Sequence, residues 1–358
     1  MIQRDELYMR RCIQLAKLGA GTVAPNPMVG AVLVYENSII GEGYHQKYGE
    51  AHAEVNCIDS VKEADKQFME RSTLYVSLEP CAHFGKTPPC SDLLIRKKIP
   101  KVIIGCRDPF KEVDGKGIEK LKAAGAEVVT GILETACKNV NKRFFTFHTQ
   151  KRPYIILKWA QAVNKIIATN DDRRLIISNK LTDRLVHKWR HEAAAILVGT
   201  NTAIADNPYL TNRLWAGKNP VRLVIDKNLK LPLKLKIFNA DAPTIVFNYE
   251  KHTINPNQNF LNQVYYYRTN KYNSLVQQIA KACYELNIQS VLVEGGAKLL
   301  QSFIDENICD EIRIITNKDL VVKDGLPAPV FGGAFSRSPG FFIQNDEMEF
   351  FFAPEKKS

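Results

Sequence analysis

The chain has 358 residues, enough for two domains of ordinary size. Its composition, 45% hydrophobic and 24% charged, is that of folded globular proteins and excludes an extended disordered chain. The net charge of +11 suits either a nucleic-acid-binding protein or an enzyme with a basic surface and anionic substrates. We favour the enzyme, because the basic residues are dispersed in short groups such as Arg96–Lys98 and Lys356–Lys357.

Helices and strands are predicted to alternate over the first 150 residues. Apolar periodicity predicts helices at 4–19, 51–60, 118–124 and 134–149. Short apolar runs predict strands at 29–35, 38–43, 72–78, 101–106 and 128–129. We also predict that Cys81 opens a helix after the third strand. This order predicts an α/β sandwich with a metal at the ends of strands and helices.

Two short segments of this half carry the side chains of a metal site. A catalytic zinc ion takes three protein ligands and keeps one position for water, and His52, Cys81 and Cys90 are the candidates. Glu54 follows the histidine by two residues, as the proton-shuttling carboxylate does in the H-x-E and P-C-x-x-C signature of zinc deaminases. Eight residues separate the two cysteines here instead of two. We predict that this longer loop, Ala82–Pro89, forms a wall beside the metal.

Other interpretations of the cysteines and histidines stay open. A structural zinc site would use His83 as its fourth ligand, although the nearby Glu54 favours catalysis. Six further cysteines have no ligand-like spacing and are predicted to be small buried hydrophobic residues: Cys12, Cys57, Cys106, Cys137, Cys283 and Cys309. Free thiols beside a thiolate site suit a reducing compartment, so we expect a cytoplasmic protein. No apolar run approaches the roughly 18 residues of a membrane helix, and the N-terminus has no apolar signal core.

A second α/β unit is predicted to begin at Lys151. Its predicted strands are 154–159, 194–199, 221–226, 244–248 and 290–294, and its predicted helices are 181–192 and 273–286. The last of these strands ends at Gly295 and Gly296, and a helix is predicted to follow. Such a glycine pair lets a ligand approach the backbone and places phosphate at a helix N-terminus, although a simple tight turn has the same pattern. Because no G-x-G-x-x-G is present, a Rossmann cofactor site is not predicted.

The first half resembles the deaminase half of the bifunctional deaminase/reductase family of riboflavin biosynthesis. Residues 25–32 (PNPMVGAV) resemble its P-N-P-x-V-G-A-V opening, and 41–54 resemble its G-x-G-x-H…G-x-x-H-A-E stretch. The Thr87–Cys90 ending of the long loop is the most family-specific piece. One segment differs, because Phe110 stands where the family commonly has the asparagine of D-P-N-P.

The second half resembles the reductase half of the same family, which is similar to dihydrofolate reductase in fold. Residues 199–213 resemble G-x-x-T-x-x-x-D-x-P-x-L-T-x-R, and Arg152–Tyr154 with Lys158 match R-P-Y…K. With these motifs the resemblance extends to about Leu300. It is interrupted at 162–165 (AVNK), where the family usually has S-L-D-G.

The resemblance implies two enzymes in one chain. It implies a cytidine-deaminase-like α/β/α sandwich at 1–147, a zinc-dependent deaminase, and a dihydrofolate-reductase-like α/β domain at 151–358, an NADPH-dependent reductase. The first would hydrolytically deaminate 2,5-diamino-6-ribosylamino-4-pyrimidinone 5′-phosphate. The second would reduce the ribosyl group of the product to a ribityl chain, through its open-chain imine, with hydride from NADPH.

The resemblance also implies individual residue roles. The deaminase pocket would be lined by Asn26, His45, Glu79, His83, Lys86 and Thr87. NADPH would be contacted by Ala160, Ile176, Thr202, Asp206 and Gly296. The reductase substrate would be held by Arg174, Arg190, Leu210, Arg213 and Glu294. Arg190 and Arg213 suit its phosphate, because guanidinium binds phosphate bidentately, although Arg190 would also fit a surface helix charge.

The expected partner is a small phosphorylated pyrimidine, with no nucleic acid and no membrane, in a homo-oligomer. Two other functions fit part of the pattern. A deaminase acting on nucleic acid would suit the pI of about 9.1, but the long loop between Cys81 and Cys90 argues against it. A binding protein with a structural zinc and a nucleotide-sensing second domain is the other, and the role of Glu54 distinguishes it from an enzyme.

Overall fold

The protein folds as two units. A computed structural model describes residues 2–85, 88–170, 175–255, 259–261 and 263–354. The division between the units lies between Gln150 and Lys151, and each unit has its own sheet and hydrophobic core. Within the described residues, no helix is both long and apolar enough to cross a membrane.

The first unit alternates helices and strands, as the sequence predicts. Its helices are α1 (Ile2–Lys17), α2 (Ala53–Asp59), α3 (Cys90–Arg96), α4 (Lys116–Ala123), α5 (Glu134–Val140) and α6 (Lys142–Gln150), with a 3-10 helix at Glu63–Arg71. Its strands are β1 (Gly30–Tyr35), β2 (Ser38–Tyr44), β3 (Thr73–Leu78), β4 (Lys101–Cys106) and β5 (Glu127–Thr130). In the described part they form one sheet in the order β2-β1-β3-β4-β5.

Helices cover both faces of this sheet. Strands β3, β4 and β5 run parallel, and β1 is antiparallel to both β2 and β3. In β1, Ala31 and Leu33 pack into a core with α2, α3 and α4, whereas Val32 and Val34 pack into another with α1 and α5. Burial on both faces explains the nearly continuous apolar runs of these strands. The unit is therefore an α/β/α sandwich.

One predicted helix is divided in two. The predicted helix at 134–149 is α5 and α6, which are separated at Asn141. Asn141 is buried, and its side chain binds the backbone of Met28: the carboxamide oxygen accepts from Met28 N at 2.8 Å and the carboxamide nitrogen donates to Met28 O at 2.8 Å. This long-range contact has no local sequence signal.

The second unit contains more strands than the sequence predicts. Its helices are α7 (Lys180–Glu192), α8 (Thr200–Asp206), α9 (Leu275–Glu285) and α10 (Ala297–Asp305), with a 3-10 helix at Lys236–Phe238. Its strands are β6 (Tyr154–Ala162), β7 (Ile166–Thr169), β8 (Ala195–Val198), β9 (Val221–Ile225), β10 (Thr244–Asn248), β11 (Val264–Arg268), β12 (Ser290–Gly295), β13 (Glu311–Asn317), β14 (Gly325–Pro327), β15 (Ser336–Ile343) and β16 (Asp346–Phe352). No strand after residue 294 is predicted from the sequence, so β13–β16 are a correction.

The described strands of this unit form a sheet in the order β11-β10-β9-β8-β12-β6-β13-β16-β15, with β7 and β14 paired separately. The strands from β11 to β13 in this order are parallel, and the last two are antiparallel. The helices that follow the neighbouring strands β8 and β12 pack on opposite faces, since Ala203 of α8 and Leu300 of α10 belong to different cores. Ligands of open α/β sheets bind at the carboxyl ends of strands at such a reversal. The carboxyl ends of β8 and β12 are therefore where a ligand site is expected.

Candidate active sites

Three ligand-type side chains meet at one end of the first sheet. His52 immediately precedes α2, Cys90 is the first residue of α3, and Cys81 lies in the loop after β3. The predicted helix at Cys81 is therefore wrong, because α3 begins nine residues later. The backbone N–H of Cys90 donates to Cys81 Sγ at 3.3 Å, so the helix N-terminus faces this sulfur.

The geometry and chemistry of these three residues fit a zinc ion. His52 Nδ1 lies 3.4 Å from Cys90 Sγ and 3.7 Å from Cys81 Sγ, and the three ligand atoms lie within 4.8 Å of one another. A hydrogen bond from the Cys90 thiol, together with His52, lowers the pKa of Cys81 to about 4, while the pKa of Cys90 is raised because the two sulfurs share one proton. Metal binding displaces such a proton. Among the described residues the group contains these three alone, which leaves a coordination position for water.

Glu54 is the second residue of α2 and is almost completely buried, with 3% of its surface exposed. Burial, with the Cys81 thiolate nearby, raises the pKa of Glu54 to about 7. A carboxyl group with a pKa close to neutral both accepts and donates protons readily, which a proton shuttle requires.

Asn26 and His45 lie together beside this group. The Asn26 Nδ2 atom is 3.2 Å from His45 Nε2, and His45 Nδ1 is 2.9 Å from the carbonyl oxygen of Ala51. Asn26 therefore donates to Nε2, which leaves the proton on Nδ1 to be donated to Ala51. The His45 ring meets His52 edge-on, with 5.2 Å between centroids. Two predicted pocket residues are thus next to a predicted metal ligand.

The carboxylate of Glu79 is directed at the backbone. Its two oxygens accept from the N–H groups of Asp108, Gly115, Gly117 and Ile118, at 3.0 to 3.3 Å. These four bonds fix the loop between β4 and α4. Glu79 therefore positions this loop, and its contact with the substrate stays a prediction.

Phe110, the residue that differs from the family pattern, lies on this fixed loop. Its ring meets His83 edge-on at 5.9 Å and His148 edge-on at 5.1 Å between centroids. Phe110 therefore joins the loop between the cysteines to α6 by aromatic contacts where an asparagine would offer hydrogen bonds. The predicted pocket residues Lys86 and Thr87 lie outside the described residues.

In the second unit, the glycine pair meets α8 at the carboxyl ends of β8 and β12. Gly199 N donates to Gly295 O at 3.3 Å, and a Cβ atom added to Gly295 would lie 3.0 Å from Thr202 Cγ2. Gly296 has φ +75°, a conformation that favours glycine. The N-termini of α8 and α10 therefore lie next to glycine backbone that no side chain covers. This arrangement suits the phosphates of a dinucleotide cofactor.

Arg190 and Glu294 form a buried ion pair in the same region. Arg190 Nε and Nη2 donate to the two Glu294 oxygens at 2.8 and 2.7 Å, and Arg190 Nη1 donates to Thr211 O at 3.3 Å. Burial alone would raise the pKa of Glu294, but the guanidinium lowers this pKa to about 2. Both residues are predicted to hold substrate, and the structure pairs them with each other.

The remaining predicted residues of the second unit lie on several separate segments. Leu210 is buried with φ +50°, Arg213 stacks over Tyr209 at 4.9 Å, and Asp206 is the last residue of α8. Ala160 lies on β6, and Ile176 is exposed beside Ile177, whose carbonyl accepts from Asn317 at the end of β13. Arg174 lies outside the described residues.

The turn at 162–165, where the sequence differs from the family pattern, is held by bonds from the Asn164 side chain. Lys165 has φ +62°, where the family usually has glycine. The Asn164 side chain donates to Val322 O at 2.7 Å and accepts from Val322 N at 3.3 Å. These bonds tie the turn between β6 and β7 to the segment before β14.

The comparisons with known proteins find a known family in each unit. A family described as cytidine and deoxycytidylate deaminase zinc-binding region matches residues 2–106, and the RibD C-terminal domain matches residues 153–318. The riboflavin biosynthesis protein RibD of Aquifex aeolicus is 42% identical over 87% of this chain and 86% of its own length. The chain belongs to the RibD family. The RibD of Actinobacillus pleuropneumoniae is 37% identical over 91% of the chain and 86% of its own length.

Solved structures extend the RibD likeness to the whole chain. The diaminohydroxyphosphoribosylaminopyrimidine deaminase/5-amino-6-(5-phosphoribosylamino)uracil reductase of Thermotoga maritima superposes with a TM-score of 0.87 at 35% identity, covering 99% of both chains. Acinetobacter baumannii RibD gives a TM-score of 0.86 at 28% identity, covering 99% of this chain and 100% of the other.

The predicted family, fold class and activity are therefore confirmed. The chain is a RibD-type bifunctional enzyme of riboflavin biosynthesis, with a zinc-binding, cytidine-deaminase-like N-terminal domain and a RibD reductase domain that uses NADPH.

Two histidines beside these sites were not predicted from the sequence. His148 packs against Phe110, and His187 accepts backbone N–H groups from the loop that carries Arg213. Each lies on a helix whose apolar periodicity predicts only core packing. Neither has a motif around it, so only the fold brings them to the sites.

Proposed function

We propose that residues 1–147 deaminate 2,5-diamino-6-ribosylamino-4-pyrimidinone 5′-phosphate and that residues 151–358 reduce the ribosyl group of the product to a ribityl chain. The deaminase assignment is supported by the buried carboxyl group of Glu54, which lies beside the cluster of His52, Cys81 and Cys90. Two substrate names printed for the Thermotoga maritima relative support the same pair of reactions.

The deaminase chemistry is assigned to Glu54. His52, Cys81 and Cys90 would hold zinc, which would supply a water of lowered pKa. The Glu54 carboxylate takes the proton that the attacking water loses and donates it to the departing ammonia. Its pKa, raised by burial, matches this double role. Asn26, His45 and His83 bind the pyrimidine, together with Lys86 and Thr87, and Glu79 orders the loop beside them.

The reductase residues bind and orient, because NADPH supplies the hydride. Thr202 and Gly296 hold the cofactor phosphates at the meeting of α8 and α10, with Ala160, Ile176 and Asp206 as further contacts. The substrate is held by Glu294, Arg190, Leu210, Arg213 and Arg174. The bidentate ion pair keeps Glu294 ionised and fixed, so it is ready to accept hydrogen bonds from the ring.

We also propose that the enzyme works in the cytoplasm as a homo-oligomer. All eight cysteines are described and free, which suits a reducing compartment. The outer strand β15 exposes Phe341 and Phe342, which a subunit contact would cover. Light scattering on purified protein should give a mass of at least two chains, and a monomer would exclude the oligomer.

The Glu54→Gln variant tests the deaminase assignment. It keeps the shape of the side chain and removes its proton transfer, so ammonia release from the diaminopyrimidinone should fall by 10²-fold or more at unchanged zinc content. Glu63→Gln, at an exposed carboxylate of the same unit, is the control. Full activity of Glu54→Gln would exclude the proposed shuttle.

A further inference from the structure

The segment 175–179, between β7 and α7, exposes one apolar side chain and has its backbone held by another strand. Ile176 is 79% exposed, whereas the next residue, Ile177, is buried. The Ile177 carbonyl accepts from Asn317 Nδ2 at 2.7 Å. Because Ile176 and Ile177 are neighbours in the chain, this bond helps to fix where the exposed Ile176 side chain lies.

Asn317 lies at the carboxyl end of the sheet. It is the last residue of β13 and pairs there with Ala162, the last residue of β6. Its carboxamide oxygen accepts from the N–H groups of Asp319 and Leu320, both at 3.0 Å. Since two N–H donors face this oxygen, the carboxamide nitrogen is the atom that faces the Ile177 carbonyl.

The turn between β6 and β7 is connected to the same asparagine. The carbonyl of Leu320 accepts from the N–H of Val163, in the turn at 162–165, at 3.0 Å. Leu320 is in turn held by the Asn317 side chain. Asn317 therefore connects the segment before β7 to the segment after it.

The hairpin of β15 and β16 also holds this region. Asn345 Nδ2 donates to Asn317 Oδ1 at 3.2 Å, and Oδ2 of the fully buried Asp346 accepts from the N–H of Asn179 at 2.8 Å. Asn179 Nδ2 donates to the carbonyl of Ile343 at 2.9 Å. The end of the segment, where α7 begins, is thus bonded to the hairpin as well.

We propose that Asn317 is a positioning residue of the reductase, which holds the segment 175–179 so that Ile176 meets NADPH. The proposal rests on the proposed reductase function, in which Ile176 contacts the cofactor, and adds a residue that the sequence motifs do not contain. Without the bond to Ile177, the segment adopts other conformations, and the affinity for NADPH falls with the fraction of molecules that are competent to bind. Bound NADPH selects the competent conformation, so kcat at saturating NADPH is retained.

Asn317→Asp tests this role, because it keeps the acceptor oxygen for Asp319 and Leu320 and removes the donor to the Ile177 carbonyl. NADPH oxidation is measured with 5-amino-6-(5-phosphoribosylamino)uracil. KM for NADPH should rise about five- to tenfold, the loss expected from one hydrogen bond, at nearly unchanged kcat. Asn317→Ala, which places no carboxylate beside the carbonyl, is the second variant and should raise KM for NADPH at least as much.

Asn248→Asp is the matched control. Asn248 is buried at the carboxyl end of β10 in the same sheet, and its oxygen also accepts from the N–H groups two and three residues later, those of Glu250 and Lys251. Its nitrogen donates to the carbonyls of Val246 and Lys251, at 3.1 and 3.0 Å. The same exchange therefore removes donors of the same kind. It should lower the stability of the second unit to denaturant and leave KM for NADPH unchanged.

An unchanged KM for NADPH in the folded Asn317 variants would overturn the positioning role and leave the reductase function intact. An equal rise of this KM in Asn248→Asp would do the same, because a general loss of stability would then explain both. A wild-type protein that does not oxidise NADPH with this substrate would overturn the proposed reductase function itself.

Discussion

The two units differ in how their charged and titratable side chains are arranged. The first gathers titratable groups with strongly shifted pKa values, because burial and the Cys81 thiolate raise the pKa of Glu54 and a hydrogen bond from Cys90 lowers that of Cys81. In the second unit, the charges of Arg190 and Glu294 are buried as an ion pair. The rest of its site consists of glycine backbone and helix N-termini, to which a ligand can bind. Hydrolysis needs protons moved at the right atoms, whereas hydride transfer needs two molecules oriented. The difference shows that each unit's polar side chains follow the demands of its own chemistry.

The largest effect on this comparison is expected from a change in the buried ion pair of Arg190 and Glu294. Glu294→Gln leaves the Arg190 charge buried without its partner, so the second unit should lose about 3 to 5 kcal/mol of stability. NADPH oxidation should be lost with it, while ammonia release continues. All three tryptophans, Trp159, Trp189 and Trp215, lie in the second unit, so denaturant unfolding followed by tryptophan fluorescence reports this unit alone.

Lys298→Gln, on the exposed side of α10, is the control for the loss of one charge near the same strand. A second unit as stable in Glu294→Gln as in wild type would mean that the pair is not held in a buried environment.

A smaller effect is expected from His187, a buried histidine of the second unit. Burial, together with Arg190 and Arg213, lowers the pKa of His187 from 6.5 to about 4, while Glu294 and Asp183 act in the opposite direction. Between these two pH values the unfolded chain binds a proton that the folded chain excludes. The stability of the second unit should therefore be complete above pH 6.5 and fall as the pH decreases toward 4.

His187→Asn offers an acceptor oxygen to Arg213 and Leu214 without titrating. It should flatten this part of the stability profile measured by tryptophan fluorescence at pH 7 and pH 5. An unchanged slope in the variant would assign the acid sensitivity to other groups.

The smallest predicted effect is in the turn between β6 and β7. Lys165 adopts φ +62°, which costs a residue with a Cβ about 1 kcal/mol relative to glycine. Lys165→Gly should therefore stabilise the second unit by up to about 1 kcal/mol, without altering NADPH oxidation. Thermal or denaturant unfolding measures the change, and destabilisation would show that the lysine side chain contributes contacts worth more than the backbone strain.

The sequence predicts the first site better than the second for a physical reason. Zinc ligands are identified by residue type and spacing, so His52, Cys81, Cys90 and Glu54 could be grouped before any fold was known. The shuttle's burial and the shared proton of the cysteines follow only from packing. In the second unit, the resemblance implies substrate roles for both Arg190 and Glu294, but the two lie 104 residues apart and a resemblance does not state which atoms meet.

The fold was predictable where local periodicity decides it. Strands β4 and β10 match their predicted bounds, because continuous apolar runs between polar residues identify buried strands. Strand β15 was not predicted, since Pro339 and Gly340 interrupt its pattern. Strand β16, which pairs with β15 across the short turn at 344–345, was not predicted either. Asn141 divides α5 from α6 through its bonds to Met28, 113 residues away.

The central claim is that two chemically different sites in one chain act separately, with Glu54 as the proton shuttle of the first. Its most direct test measures ammonia release and NADPH oxidation in parallel for Glu54→Gln and Arg213→Ala, each supplied with the substrate of the reaction assayed. Glu54→Gln should lose ammonia release and keep NADPH oxidation, and Arg213→Ala should show the reverse. Loss of both activities in either folded variant, or retained ammonia release in Glu54→Gln, would contradict the account.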